Sequence, residues 1–360
     1  MDNSTALIWL SGIEGLNGKP LERLLEAFPE PEALWEEPLQ ARPLLSARML
    51  RALCDARSEA LVDELLAGLE EKGVRALTLL DDSYPARLRG VEDAPPVLYA
   101  RGELPSEDRA AAVVGSRRCT ADGRLTAGRM GRELGESGVC VISGLAEGID
   151  SAAHVGCLEG GGQAVAVLGC AIDGCYPPEN RALLERIQEE GGCILSEHAP
   201  GKATRAYHFS QRNRIISGLS QAVVVVEAGE KSGALITAQY AERQGRMLFA
   251  VPGSIYSQAS RGSNRLLTRS ARAALSAEEV FAEMGWRREA ERTEPEQAPE
   301  LDPQSRRVVE FLQNDEKSFD EIVNQLKIPA WELNSLLTIL EMQGIIRQSA
   351  GRLYRSVLPL

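Results

Sequence analysis

Six short, nearly continuous apolar runs alternate with helical stretches, and together they predict an α/β protein on a Rossmann-like, doubly wound parallel sheet. The runs are Ala111–Val114, Val139–Ile142, Ala164–Leu168, Cys193–Leu195, Ala222–Glu227 and Met247–Val251. Two further observations bracket this block: a helix-patterned N-terminal stretch precedes it, and a Glu- and Pro-marked segment separates it from three short amphipathic helices. The expected plan is a small helical domain over 1–75, the Rossmann-like domain over 76–285, an acidic linker over 286–303 and a winged-helix domain over 304–360.

In the N-terminal stretch, Leu21, Leu24, Leu25 and Phe28 follow a glycine-containing turn at helical spacing, an outline similar to a SAM or helix-hairpin-helix unit. Such a turn can hold a DNA phosphate on free backbone N–H groups. Here Lys19 and Arg23 are outnumbered by Glu14, Glu22, Glu26 and Glu30, which favours a packing or protein-contact role. An amphipathic helix over 44–72 leads to the strand-like Ala76–Leu80. Within the α/β block, Arg124–Ser137, Ser151–Glu159, Asn180–Glu190 and Ala234–Gln244 carry the helical pattern, so the loops leaving the strands form one ligand edge at their carboxyl ends.

Glutamates from Glu278 to Glu300, with Pro295, Pro299 and Pro303, read as a solvated linker. Beyond it, Ser305–Leu312, Phe319–Leu326 and Trp331–Gln343 are helical, and Ile345-Ile346 can pair with Leu353-Tyr354 around Gly351, a winged-helix outline. Its recognition helix, Ala330–Gln343, holds Glu332 and Glu341 and no Lys or Arg. That suits protein contact better than duplex DNA. Leu333, Leu336, Leu337 and Leu340 are the expected core of the small domain.

The chain has 360 residues, 44% hydrophobic, with a formal net charge of −12. No apolar run is long enough to cross a bilayer, and the N-terminus carries Asp2 where a signal region would be basic, so no membrane association and a cytoplasmic location are expected. The seven cysteines lack CxxC spacing and only three histidines are present; reduced thiols are expected, with no metal and no cofactor. A nicotinamide dinucleotide enzyme is excluded by the missing GxGxxG turn.

Against this acidic background, His198 to Gln221 contains no carboxylate while carrying Lys202, Arg205, Arg212 and Arg214, the pattern of an anion site. Arg212 and Arg214, flanking Asn213, are expected to bracket a backbone, with Phe209 placed to stack or pack. The strand-end loops supply further donors. Gly115, Ser116, Arg117 and Arg118, with Thr120, follow the first apolar run; Ser143 and Gly144 follow the second; Lys231, Ser232 and Gly233 open a helix containing Thr237 and can form a phosphate cradle. Arg261 lies in the loop after the last run, within residues 243–277, which hold six arginines and no carboxylate. Asp150 and His154, four apart, read as a capping and packing pair. Repeated donors and arginines without a nucleophile or matched acid and base point to single-stranded DNA binding rather than catalysis. The alternative is a nucleotide-processing enzyme using Glu227, the one carboxylate well placed at a strand end.

Linked blocks in one order strengthen that reading: Tyr84-Pro85, Pro95-Pro96 with Leu98-Tyr99, VVGSRRCTADG from Val113, VISGLAEGIDSAAH from Val141, AVLGCAIDGCYPPEN from Ala166, GCILSE from Gly192 and VPGSIYSQASRGSN from Val251. In these blocks the chain resembles the DNA-processing protein A (DprA/Smf) family. The resemblance implies a non-enzymatic single-stranded-DNA-binding protein of natural transformation that protects incoming DNA, loads the RecA recombinase, forms a homodimer through its Rossmann-like domain and ends in a DML1-like winged helix. It also implies DNA contact by Arg117, which matches the arginine of the family's Gly-Ser-Arg motif. Two positions depart from the pattern: Glu147 stands where the family usually has Arg, and Ala171 where it usually has Gly. The region Glu227–Thr237 also resembles the nucleotide phosphoribohydrolases, which is the ground for the enzymatic alternative.

Overall fold

The computed structural model describes residues 1–16, 18–104, 109–286, 302–313, 315–342, 344–349 and 353–356. Among them, nine strands form one sheet in the order β1-β2-β6-β5-β4-β3-β7-β8-β9. The strands are β1 Arg75–Thr78, β2 Val97–Arg101, β3 Ala110–Val114, β4 Cys140–Ser143, β5 Ala164–Leu168, β6 Cys193–Ser196, β7 Ala222–Val225, β8 Met247–Ala250 and β9 Arg272–Ala273. From β6 to β9 all neighbours are parallel, and β2 and β1 extend the sheet antiparallel.

The chain enters at β3, builds outward through β4, β5 and β6, then returns to lay β7 on β3's other side. The strand order therefore reverses at β3, and a crevice opens there beyond the carboxyl ends. Both faces are buried. In β3, Ala111 and Val113 join one apolar cluster while Ala110, Ala112 and Val114 join the other, which is why the run is apolar at every position.

The N-terminal helices are α1 Asn3–Gly12, α2 Lys19–Ala27, α3 Glu32–Glu36, α4 Ala47–Asp55 and α5 Glu59–Glu71. The single helix expected over 44–72 is two, α4 ending at its C-cap Ala56 and α5 starting after its N-cap Ser58, with the indole N–H of Trp9 donating to the Ala56 carbonyl at 2.8 Å in the break. Leu7, Leu10, Leu21 and Leu24 share one buried cluster with the sheet. Ser4 donates to Asp81 at 2.5 Å, just past β1. Residues 1–289 form one compact unit.

The remaining helices of that unit are α6 Ala86–Arg89, α7 Ala121–Glu136, α8 Ile149–Glu159, α9 Arg181–Glu189, α10 His208–Gln211, α11 Asn213–Leu219, α12 Ala234–Arg243, α13 Arg261–Leu267 and α14 Ala277–Met284. α7 and α8 cross on a seam of small residues: a Cβ on Gly156 would lie 1.9 Å from the carbonyl oxygen of Gly128, and one on Gly131 would lie 2.2 Å from that of Ala153. Only glycine permits this approach, which locks together the loops leaving β3 and β4.

The second unit spans Ala290–Leu360. It holds α15 Pro303–Phe311, α16 Phe319–Leu326 and α17 Ala330–Met342, with a small sheet β10-β12-β11 made of β10 Lys317–Ser318, β11 Ile346–Ser349 and β12 Leu353–Ser356. The wing pairs in register Ile346 opposite Ser356 and Ser349 opposite Leu353, so Leu353 and Tyr354 meet Ser349 and Gln348 rather than Ile345-Ile346. Leu333, Leu337 and Leu340 are buried and Leu336 packs against them, while Trp331 and Ile339 face solvent. Most of the expected acidic linker, 287–301, lies outside the described residues.

Candidate nucleic-acid interface

A cavity of about 470 Å³ occupies the crevice where the strand order reverses. Its wall brings together residues from three strand-end loops and the α10–α11 corner: Gly115, Ser116, Arg117 and Arg118 after β3; Ala146 and Asp150 after β4; Ser232, Gly233 and Thr237 at the start of α12; and Phe209, Arg212 and Asn213. Gly115 is required, since a Cβ there would lie 2.4 Å from the Ile149 side chain. Ser116 is fixed through its backbone, its N–H donating to the carbonyl of Glu227 at 2.7 Å. That leaves Arg117 and Arg118 exposed at the mouth.

Arg117 places its guanidinium 5.4 Å from the ring centroid of Phe209, and that ring lies 4.9 Å from Tyr176. A cation over an aromatic face is held in place yet keeps its N–H groups outward. Across the cavity, α12 begins at Ala234 with Gly233 as its N-cap, so the positive end of the helix dipole faces the same space, although the N–H groups of Ala234, Leu235 and Ile236 already donate to Ser232 and Gly233 and the expected phosphate cradle is largely self-satisfied. Asn213, the first residue of α11, anchors this rim, its amide donating to the carbonyl of Gly233 at 3.2 Å.

Four expected contacts are turned inward. Arg212 is 5% exposed; it donates to the carbonyl of Gly144 at 2.6 Å and to that of Val167. Burial pushes its guanidinium down to about 10, opposed by the neighbouring Asp150. Arg214 is held by Glu197 through paired contacts of 2.9 and 2.7 Å and by Asp93 at 3.3 Å. It serves the fold and does not bracket a DNA backbone. Its counter-charges come from outside the carboxylate-free segment, from Glu197 one residue before it and from Asp93 far upstream. Ser143 is fully buried, donating to the carbonyl of Val113 at 2.6 Å, and Gly144 is covered by the Arg212 guanidinium. Neither can reach a phosphate.

Asp150 is not the N-cap of α8, which is Gly148; its carboxylate accepts from the N–H of Gly144 at 3.2 Å and faces Arg212. Burial raises its pKa, opposed by Arg212. His154, beneath it, is fully buried without a partner at either nitrogen, and burial drives it down to about 3, so it is neutral. Thr120 caps α7 and ties it to β7: its N–H and hydroxyl donate to Glu227 at 2.9 and 2.5 Å. Both oxygens of the one candidate catalytic carboxylate are thus engaged. Lys202, Lys231 and Arg261 lie outside the cavity wall, Lys202 half-buried and the other two exposed around it. Glu147 is exposed and also outside the wall. Asp150 and Ala146 were missed as wall residues because the spacing of Asp150 and His154 already satisfied a helix-packing reading.

The family model DNA recombination-mediator protein A matches residues 75–285, and the DprA winged helix domain matches 292–352. Protein Smf from Synechocystis is 31% identical over 99% of this chain and all of its own length. DNA processing protein DprA from Bacillus subtilis is 38% identical over 64% of this chain and 78% of its own. Among solved structures, DNA processing protein A from Streptococcus pneumoniae is similar with a TM-score of 0.68 at 32% identity, covering 79% of this chain and 99% of that one. A Helicobacter pylori DNA processing protein A, described for its single-stranded DNA binding mode, matches with a TM-score of 0.53 at 26% identity, over 59% of this chain and 95% of that one.

Proposed function

This chain belongs to the DNA recombination-mediator protein A (DprA/Smf) family, and on that premise we propose that it binds single-stranded DNA along the carboxyl edge of its sheet. The observation that carries the reading is the exposed Arg117 held over Phe209 at the mouth of the crevice cavity. A flat cation beside an aromatic ring, opposite a helix N-terminus, offers one strand both stacking surfaces and phosphate donors. A duplex keeps its bases paired and stacked inside and gains only the phosphate contacts.

The role is one of binding rather than catalysis. Glu227 is tied to Thr120, and Asp150 is opposed by Arg212 in the interior, so neither stands as a free acid or base beside the mouth. Family membership supports a place in DNA processing during uptake, with protection of the incoming strand, loading of the RecA recombinase and a homodimer through the Rossmann-like domain as parts of the same proposal. A cytoplasmic location fits that work; no helix among the described residues is long and apolar enough to cross a membrane.

Fluorescent oligothymidine and a duplex of equal length, titrated across a salt series, test the reading. Tighter binding of the single strand at every salt concentration is expected. Equal or tighter binding of the duplex would overturn it.

A further inference from the structure

The loop after β8 carries the two most exposed large apolar side chains of the first unit, Ile255 at 75% and Tyr256 at 88%. β8 neighbours β7, so this loop lies at the same carboxyl edge as the cavity, two strand spacings or about 10 Å from β3. It is firmly held. Asn264 exchanges two hydrogen bonds with the backbone of Gly253, at 3.0 and 2.9 Å. Gly262 donates to the carbonyl of Ala228 at 2.7 Å, and a Cβ there would lie 2.6 Å from the carbonyl oxygen of Gly229, so the segment sits directly on the loop that leads to Ser232 and Gly233.

A rigid loop that leaves a tyrosine ring in water, beside a proposed anion path, needs a reason. The surroundings supply a partner chemistry. Arg261 and Lys231 are exposed close to the loop in the chain or the fold, and residues 243–277 contain no carboxylate. Glu230, on the neighbouring loop, lies 3.8 Å from Arg265. Cationic, uncharged-aromatic surroundings suit a nucleobase with its phosphate better than an acidic or an apolar protein segment.

We propose that Tyr256 is a second stacking platform, taking a base of the strand as it runs from the Arg117–Phe209 mouth across the β7 loop toward β8, with Arg261 meeting the adjoining phosphate. This rests on the single-stranded-DNA reading above and extends its path. Stacking is not electrostatic and carries no counterion release, so the two residues have different signatures.

The test is oligothymidine titration of the full chain across a salt series, with wild type, Tyr256→Ala, Tyr256→Phe, Arg261→Ala and Arg117→Ala, together with sedimentation of each. Tyr256→Ala is expected to weaken binding about 5- to 100-fold with the salt slope unchanged, while Tyr256→Phe stays near wild type. Arg261→Ala is expected to lower the slope by about 0.7. Wild-type affinity in Tyr256→Ala, with Arg117→Ala still weakened, would overturn the platform and leave the binding function standing. A changed sedimentation coefficient in Tyr256→Ala would assign the ring to a protein interface and overturn it likewise. Absence of oligothymidine binding by the wild type would overturn both readings.

Discussion

Arg117 and Arg212 line the same cavity yet do opposite work. Arg117 is exposed and held only by an aromatic face, so Arg117→Ala should leave the melting transition unchanged while weakening oligothymidine binding and lowering the slope of log affinity against log salt by about 0.7. Arg214 is fixed by Glu197 and Asp93, so Arg214→Ala should instead destabilise the fold by about 3 kcal/mol, the low end for breaking a buried pair because Glu197 keeps some solvent. Chemical denaturation measures it. Two desolvated histidines, His154 buried and His198 half-buried, add a pH limb. His154 is held near 3 and His198 near 4, both by burial first, against an ordinary 6.5. Folded values below the unfolded one mean that their stabilising contribution is complete above pH 6.5 and is lost as pH falls toward those values. Stability should decline below pH 6.5 at up to about 1.4 kcal/mol per pH unit per histidine, and His154→Gln should make that decline shallower.

The α7–α8 pair positions the mouth, because α7 hangs from Glu227 through Thr120 and α8 carries Asp150 under Arg212. Their small-residue seam gives a sharp contrast. A Cβ on Gly156 would meet backbone at 1.9 Å, whereas one on Gly128 would meet its nearest neighbour, the Ala152 carbonyl oxygen, at an ordinary 3.7 Å. Gly156→Ala should cost about 3 kcal/mol by forcing the helices apart. Gly128→Ala should be neutral or stabilising by up to about 1 kcal/mol from helix propensity. Thermal melts of the two variants check the seam, and oligothymidine binding by Gly156→Ala checks whether mouth geometry follows it. At this scale the long helices and the central strands were legible from periodicity, while β9 and the short helices α6, α10, α11 and α13 were not, being too brief to show a period. β2, which follows Pro95-Pro96, was not read as a strand, and the break between α4 and α5, where Trp9 meets the Ala56 carbonyl, interrupts a pattern that reads as one amphipathic helix.

For the molecule as a whole, the compact unit of residues 1–289 contains the entire cavity wall, and the winged helix has its own buried core. A chain ending at Glu296 should therefore fold and bind oligothymidine with the affinity and salt slope of the full chain. Circular dichroism and the same titration measure both. Loss of binding with an unchanged melting transition would give the winged helix a DNA contact, despite Glu332 and Glu341 on α17 and the absence of Lys or Arg there.

By itself the sequence determined the alternating α/β order, the buried strands and the carboxyl edge at which the cavity lies, because these follow from local periodicity and chain connectivity. Ten of the residues singled out from the sequence, Arg117, Phe209 and Ser232 among them, line one cavity in the fold, though the inward-turned Arg212 is one of the ten. Only the tertiary structure decided which arginines face solvent. A guanidinium is buried where carbonyls and carboxylates from distant segments converge on it, as Gly144 and Val167 do on Arg212 and Asp93 and Glu197 on Arg214. That convergence depends on strand order and loop placement across the sheet, and no local pattern around Arg212 or Arg214 encodes it.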